Sequence, residues 1–148
     1  MIFMRTTKWE STSRNQTIER GRLIGLKLQA GTKIALIGTL GSGKTTFVKG
    51  LGLGLGVTDE REVKSPTFVI FHIYKGRIPL YHFDLYRFHE STNIEDIGLD
   101  EFIDDPNAIS VVEWADRIPR ISKQADIVIE LSKRGETGRT IRMKERGR

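Results

Sequence analysis

The run Gly38-Thr39-Leu40-Gly41-Ser42-Gly43-Lys44-Thr45 constrains this chain more than any other, because it fits the phosphate-binding pattern G-x-x-x-x-G-K-[ST]. Such a loop sits between a buried strand and a helix, and the flanking residues predict both. Lys33-Ile34-Ala35-Leu36-Ile37 is a short apolar run bounded by Gly31 and Gly38, which reads as a strand of a parallel sheet. Thr45-Thr46-Phe47-Val48-Lys49-Gly50-Leu51 reads as the helix. Glycines let backbone N–H groups converge on phosphate oxygens, and the helix N-terminus adds partial positive charge. Lys44 is then placed to reach the β- and γ-phosphates, and the Thr45 hydroxyl to ligate magnesium.

At 148 residues the chain has room for one core, so residues 1–148 are expected to form a single domain. No run approaches the ~18 apolar residues of a membrane span. Met1-Ile2-Phe3-Met4-Arg5 lacks the apolar region of a signal peptide. The expectation is a cytoplasmic protein, with neither membrane nor DNA as a partner. The absence of cysteine rules out disulfides, thiolate metal sites and cysteine nucleophiles. A net charge of +5 is compatible with an acidic partner such as RNA. Arg142, Lys144, Arg146 and Arg148 read equally as a solvated, frayed end.

Thr12 or Ser13 is expected to cap a helix over about 15–28, with Thr17, Gly21, Ile24 and Leu28 facing the sheet. The glycines of Leu51-Gly52-Leu53-Gly54-Leu55-Gly56 predict an early end to the loop helix. Ser65-Pro66-Thr67 is a polar hinge, followed by β-rich residues 68–74, a turn at Lys75-Gly76-Arg77 and a second strand over 78–83. That hairpin predicts a mixed sheet. An acidic helical segment over about 93–103 precedes the buried strand Ala108-Ile109-Ser110-Val111-Val112. The chain closes with strands at 127–131 and 140–143 across Gly135-Glu136-Thr137-Gly138, expected as an antiparallel edge.

Two carboxylates end strands downstream of the loop: Asp84 after Tyr81-His82-Phe83, and Glu113 after Val112. A carboxylate in that position holds magnesium in nucleotide-binding α/β proteins. One acid can ligate the metal while the other acts through water, and the pattern leaves open which does which. His72, His82 and His89 show no paired metal-ligand spacing, and His82 reads as a hydrogen-bonded structural histidine. Trp114 suits either a core edge or packing against a partner or a moving loop.

Four blocks in order, Leu40 to Phe47, Ser65-Pro66-Thr67-Phe68, Tyr81-His82-Phe83-Asp84-Leu85-Tyr86-Arg87 and Val112-Glu113-Trp114, resemble the bacterial TsaE family, formerly YjeE. These are small P-loop ATPases that help make threonylcarbamoyladenosine beside the tRNA anticodon. The resemblance implies an α/β P-loop NTPase fold: one domain with a mixed, mostly parallel central sheet, flanking helices and antiparallel hairpin strands. It implies that Gly41, Ser42, Gly43, Lys44, Thr45 and Thr46 bind ATP phosphates, and that Thr45 and Glu113 hold Mg2+. Asp84 would be required for hydrolysis, Thr67 would lie on a switch-like segment, and Arg139 would lie close to the nucleotide. The implied partners are the TsaD- and TsaB-type proteins of the threonylcarbamoyl-transfer complex, with tRNA engaged indirectly. Thr39 departs from the family's usual acidic residue and Ser42 from its usual alanine. Asn-Lys-x-Asp, the guanine-reading motif, is absent, which favours ATP over GTP. Two other classes stay open at this point: a small metabolite or nucleotide kinase, and a nucleotide-dependent switch that does not hydrolyse its ligand.

Overall fold

The computed structural model describes residues 3–58, 71–87 and 99–147. These residues form one seven-stranded sheet with helices on both faces. The elements are β1 (Phe3–Ser11), α1 (Arg14–Gly25), β2 (Lys33–Ile37), α2 (Lys44–Gly54), β3 (Phe71–Tyr74), β4 (Leu80–Asp84), α3 (Leu99–Ile103), β5 (Ile109–Glu113), α4 (Pro119–Gln124), β6 (Ile127–Arg134) and β7 (Gly138–Arg146). A 3-10 turn at Ala115–Arg117 joins β5 to α4. The strand order is β1-β7-β6-β2-β5-β4-β3. The sheet is mixed, as expected: β6, β2, β5 and β4 run parallel, while β3, β7 and β1 add antiparallel pairings.

The central strands are buried on both faces, which is why they read as unbroken apolar runs rather than alternating ones. On one face Phe47, Val48, Leu51 and Leu55 of the α2 region cover Ile34, Leu36, Val111 and Ile129. On the other, Leu99, Ile103, Ile118 and Ile121 cover Ala35, Phe83, Val112 and Val128. Parallel strands deliver their C-terminal ends to one side, so Ile37, Asp84 and Glu113 end beside one another. Open α/β sheets hold their ligands at that end.

Four expectations need correction. The C-terminal hairpin is not the edge: β7 lies between β6 and β1, and β1 forms the border. Arg142, Lys144 and Arg146 therefore belong to a paired strand rather than to a frayed end. The sequence of β1 hides it, because its register positions Thr7, Trp9 and Ser11 alternate only weakly in polarity.

The third correction concerns the loop helix, which runs on to Gly54 instead of stopping early. Its glycines are sites of close approach. A Cβ on Gly50 would sit 2.2 Å from the Ile18 carbonyl oxygen, and one on Gly54 2.3 Å from that of Arg22. Gly21 and Gly25 of α1 meet Gly50 and Gly54 in turn, so the two helix backbones touch where side chains would hold them apart. Gly21 thus faces α2 rather than the sheet. Ser13 is the N-cap of α1, its hydroxyl accepting from the Gln16 N–H. Arg77, in the β3–β4 turn, donates to the carbonyls of Gly25 and Leu26 at 2.8 and 3.0 Å, a cation on the C-terminal carbonyls of α1.

The glycine contact makes a prediction with an informative sign. In an ordinary helix interior Gly→Ala gains roughly 0.5–1 kcal/mol. Here Gly50→Ala must push two backbones apart and should cost about 1–3 kcal/mol. Urea unfolding of the two proteins measures this, and a stabilised variant would show that α1 and α2 do not meet in this way.

Candidate functional site

The chain leaves β2 at Ile37, turns through Gly38–Gly43 and re-enters regular structure as α2 at Lys44. Gly41 has φ +76° and Gly43 φ +102°, conformations that β-carbon-bearing residues rarely adopt, which is why the loop carries glycine at both. Gly43 is the N-cap of α2 and no side chain caps that end. The first-turn N–H groups of an eleven-residue helix are thus presented at the loop together with its positive dipole end.

Lys44 is only 5% exposed. Its ammonium donates to the carbonyls of Gly38 and Thr39 at 2.6 and 2.9 Å and lies 4.0 Å from the centre of the Trp114 ring. Burial holds its pKa below the ordinary lysine value, while the carboxylates of Glu113, Asp84 and Asp116 pull the other way. Ser42 is fully buried, its N–H donating to Thr39 and its hydroxyl 3.5 Å from the Lys44 ammonium. It packs under the loop and does not line the cavity above it.

Thr45 and Glu113 meet directly: the Thr45 hydroxyl lies 3.0 and 3.1 Å from the two carboxylate oxygens. Glu113 is 2% exposed, and its Oε2 is also bonded to Nε2 of His82. Asp84 lies opposite Glu113 in the β4–β5 register. Its Oδ1 accepts from the Tyr86 N–H at 2.8 Å, closing the turn that follows β4. A hydroxyl and a carboxylate side by side suit a hard divalent cation that completes its shell from phosphates and water. Among the described residues no group of three or more His, Asp, Glu or Cys side chains could hold a metal unaided.

Trp114 follows Glu113 with φ 59° and ψ 35°, a left-handed conformation that costs a non-glycine residue about 1–3 kcal/mol. That backbone turns the indole back over the loop. Tyr86 packs against it at 4.9 Å between ring centres, and the Arg117 guanidinium lies 5.1 Å from its ring. On the other flank, Arg139 donates to the Gly41 carbonyl at 3.2 Å and to its neighbours Gly138 and Glu136. All three of these bonds run to backbone carbonyls. Lys133, paired with Arg139 in the β6–β7 register, brings its ammonium to within 3.2 Å of where a Cβ on Gly41 would sit.

Gly41, Gly43, Lys44, Thr45, Thr46, Asp84, Glu113 and Arg139 thus line one cavity of about 300 Å3. A smaller one of about 180 Å3 adjoins it at Gly43, Thr46 and Arg139 and extends to Arg14, Thr17 and the Glu136-Thr137 turn. A larger cavity, about 460 Å3, opens at the other end of the sheet between α1 and β1, far from both acids. Thr67 and His89 lie outside the described residues. Sequence reasoning missed Lys133 and Arg117, whose signals are no more than single cations, and did not connect His82 with Glu113. Among the described residues no helix is long and apolar enough to cross a membrane.

The sequence model of the family described as "Threonylcarbamoyl adenosine biosynthesis protein TsaE" matches residues 11–141. The chain is 38% identical to the tRNA threonylcarbamoyladenosine biosynthesis protein TsaE of Bacillus subtilis over 139 residues, 93% of this chain and 85% of that one. It is also 38% identical to the Treponema pallidum protein of the same name over 121 residues, 82% and 87% of the two chains. A crystal structure of Bacillus subtilis YdiB superposes with a TM-score of 0.75 at 29% identity, covering 99% of this chain and 89% of that one. With the family's sequence model spanning the loop and strands β2 to β6, and relatives aligned along most of their length, this chain belongs to the TsaE family of tRNA threonylcarbamoyladenosine biosynthesis proteins.

Proposed function

We propose that this protein binds ATP with magnesium at the Gly38–Thr45 loop and hydrolyses it in support of tRNA threonylcarbamoyladenosine formation. The observation that carries the reading is the contact between Thr45 and Glu113, which joins the last residue of the loop to a buried strand-end carboxylate. The loop glycines, the helix N-terminus and Lys44 suit the β- and γ-phosphates. Thr45 and Glu113 would hold magnesium, which when bound neutralises charge developing on the phosphate oxygens. Asp84, beside Glu113, would orient the attacking water, and the smaller cavity beside Gly43 and Arg139 would take the rest of the nucleotide.

The rim supports partner dependence. Leu40 is 70% exposed and Tyr86 40%, and both border the cavity. Exposed apolar side chains around a polar site mark a surface that another protein covers. A site without such a cover leaves water poorly ordered at the γ-phosphate. In this reading the TsaD- and TsaB-type proteins supply the cover, and tRNA is engaged through them.

Phosphate release with and without those partners tests the proposal. Slow hydrolysis alone and clear stimulation by the partner complex are expected, with different partner affinities in ATP and ADP. A rate indifferent to the partners, or faster phosphoryl transfer to a small metabolite than to water, would instead indicate a kinase.

A further inference from the structure

We infer that His82 is a positioning residue that holds the Glu113 carboxylate in the one orientation from which it can serve a metal ion. The inference rests on the reading of Glu113 as a magnesium ligand. His82 lies on β4 opposite Val111 of β5, two residues before the Asp84–Glu113 register pair, so the two side chains share a sheet face. Its ring is fully buried, with Nε2 bonded to Glu113 Oε2. Its Nδ1 has no hydrogen-bond partner among the described residues.

These facts assign the proton. A carboxylate can only accept, so the shared hydrogen sits on Nε2. The imidazole therefore donates through Nε2. Glu113 has three side-chain torsions and, among the described residues, would otherwise be steered by the Thr45 hydroxyl alone, a group that it must share with the metal. With Oε2 anchored by a fully buried ring, Oε1 stays directed to the side of Thr45. Outer-shell hydrogen bonds of this kind are typically worth about 10- to 100-fold in metal affinity.

The experiment titrates the full chain with a non-hydrolysable ATP analogue, with and without Mg2+, for the wild type and for His82→Leu, His82→Gln and Glu113→Gln. His82→Leu should lose about 10- to 100-fold of the magnesium-dependent gain in affinity while metal-free binding stays unchanged. His82→Gln, whose side-chain amide can donate to the same oxygen, should recover most of it. Ring 15N shifts should report a proton on Nε2, whose signal moves in Glu113→Gln. Full magnesium dependence in His82→Leu overturns the inference, as does a His82→Gln variant no better than His82→Leu. If His82→Leu does not fold, the ring spectrum decides, and an Nε2 without a proton overturns the inference. If Glu113→Gln itself keeps the magnesium dependence, the fault lies with the metal assignment rather than with His82.

Discussion

Lys44→Ala should weaken ATP binding by about 2–4 kcal/mol, roughly 30- to 1,000-fold in Kd. The ammonium is buried and bonded to the carbonyls of Gly38 and Thr39, so it is held within the loop that the glycines shape. To meet phosphate it has only to exchange those carbonyl acceptors for anionic ones, which adds the attraction of opposite charges to the hydrogen bond. The left-handed Trp114 places its indole 4.0 Å from the ammonium, narrowing the directions in which the lysine can swing. Burial already makes the free cation costly, and a phosphate would relieve that cost. Calorimetric titration of the two proteins with ATP gives the answer. Equal affinities would remove the loop from the nucleotide site, whatever its sequence.

Glu113→Gln and Asp84→Asn should separate two roles that the sequence leaves interchangeable. Both variants should lose about 100-fold or more in turnover, the scale on which a single well-placed charge or donor acts in a site of this kind. Only Glu113→Gln should lose about 10- to 100-fold of the magnesium-dependent part of nucleotide binding. The reason is placement: both Glu113 oxygens lie within 3.1 Å of the Thr45 hydroxyl, whereas Asp84 commits Oδ1 to the Tyr86 N–H. Glutamine keeps the shape and one acceptor, so His82 retains a partner and the change reads as lost charge. Affinities measured with and without Mg2+, beside phosphate release, distinguish the two acids. Magnesium-dependent binding lost in Asp84→Asn alone would exchange their roles.

The local pattern of residues sufficed for everything that depends on one short stretch of chain. The glycines and Lys44 announce a turn from strand to helix, the apolar run 33–37 its strand, and Asp84 and Glu113 stand at strand ends. The C-terminal hairpin was equally visible, because turn residues and alternating apolar positions lie close together. What failed were inferences about neighbours in space. A string of glycines looks the same whether it ends a helix or lets two helices touch, and only the approach of Ile18 and Arg22 to Gly50 and Gly54 decides. A weakly alternating segment becomes β1 because β7 offers it a register. The site itself is assembled across long separations: 31 residues between His82 and Glu113, 68 between Thr45 and Glu113, and 98 between Arg139 and Gly41. Residue type and periodicity carry no distance information at that range. The parallel sheet supplies it, by bringing three strand ends together at one edge of a shared core.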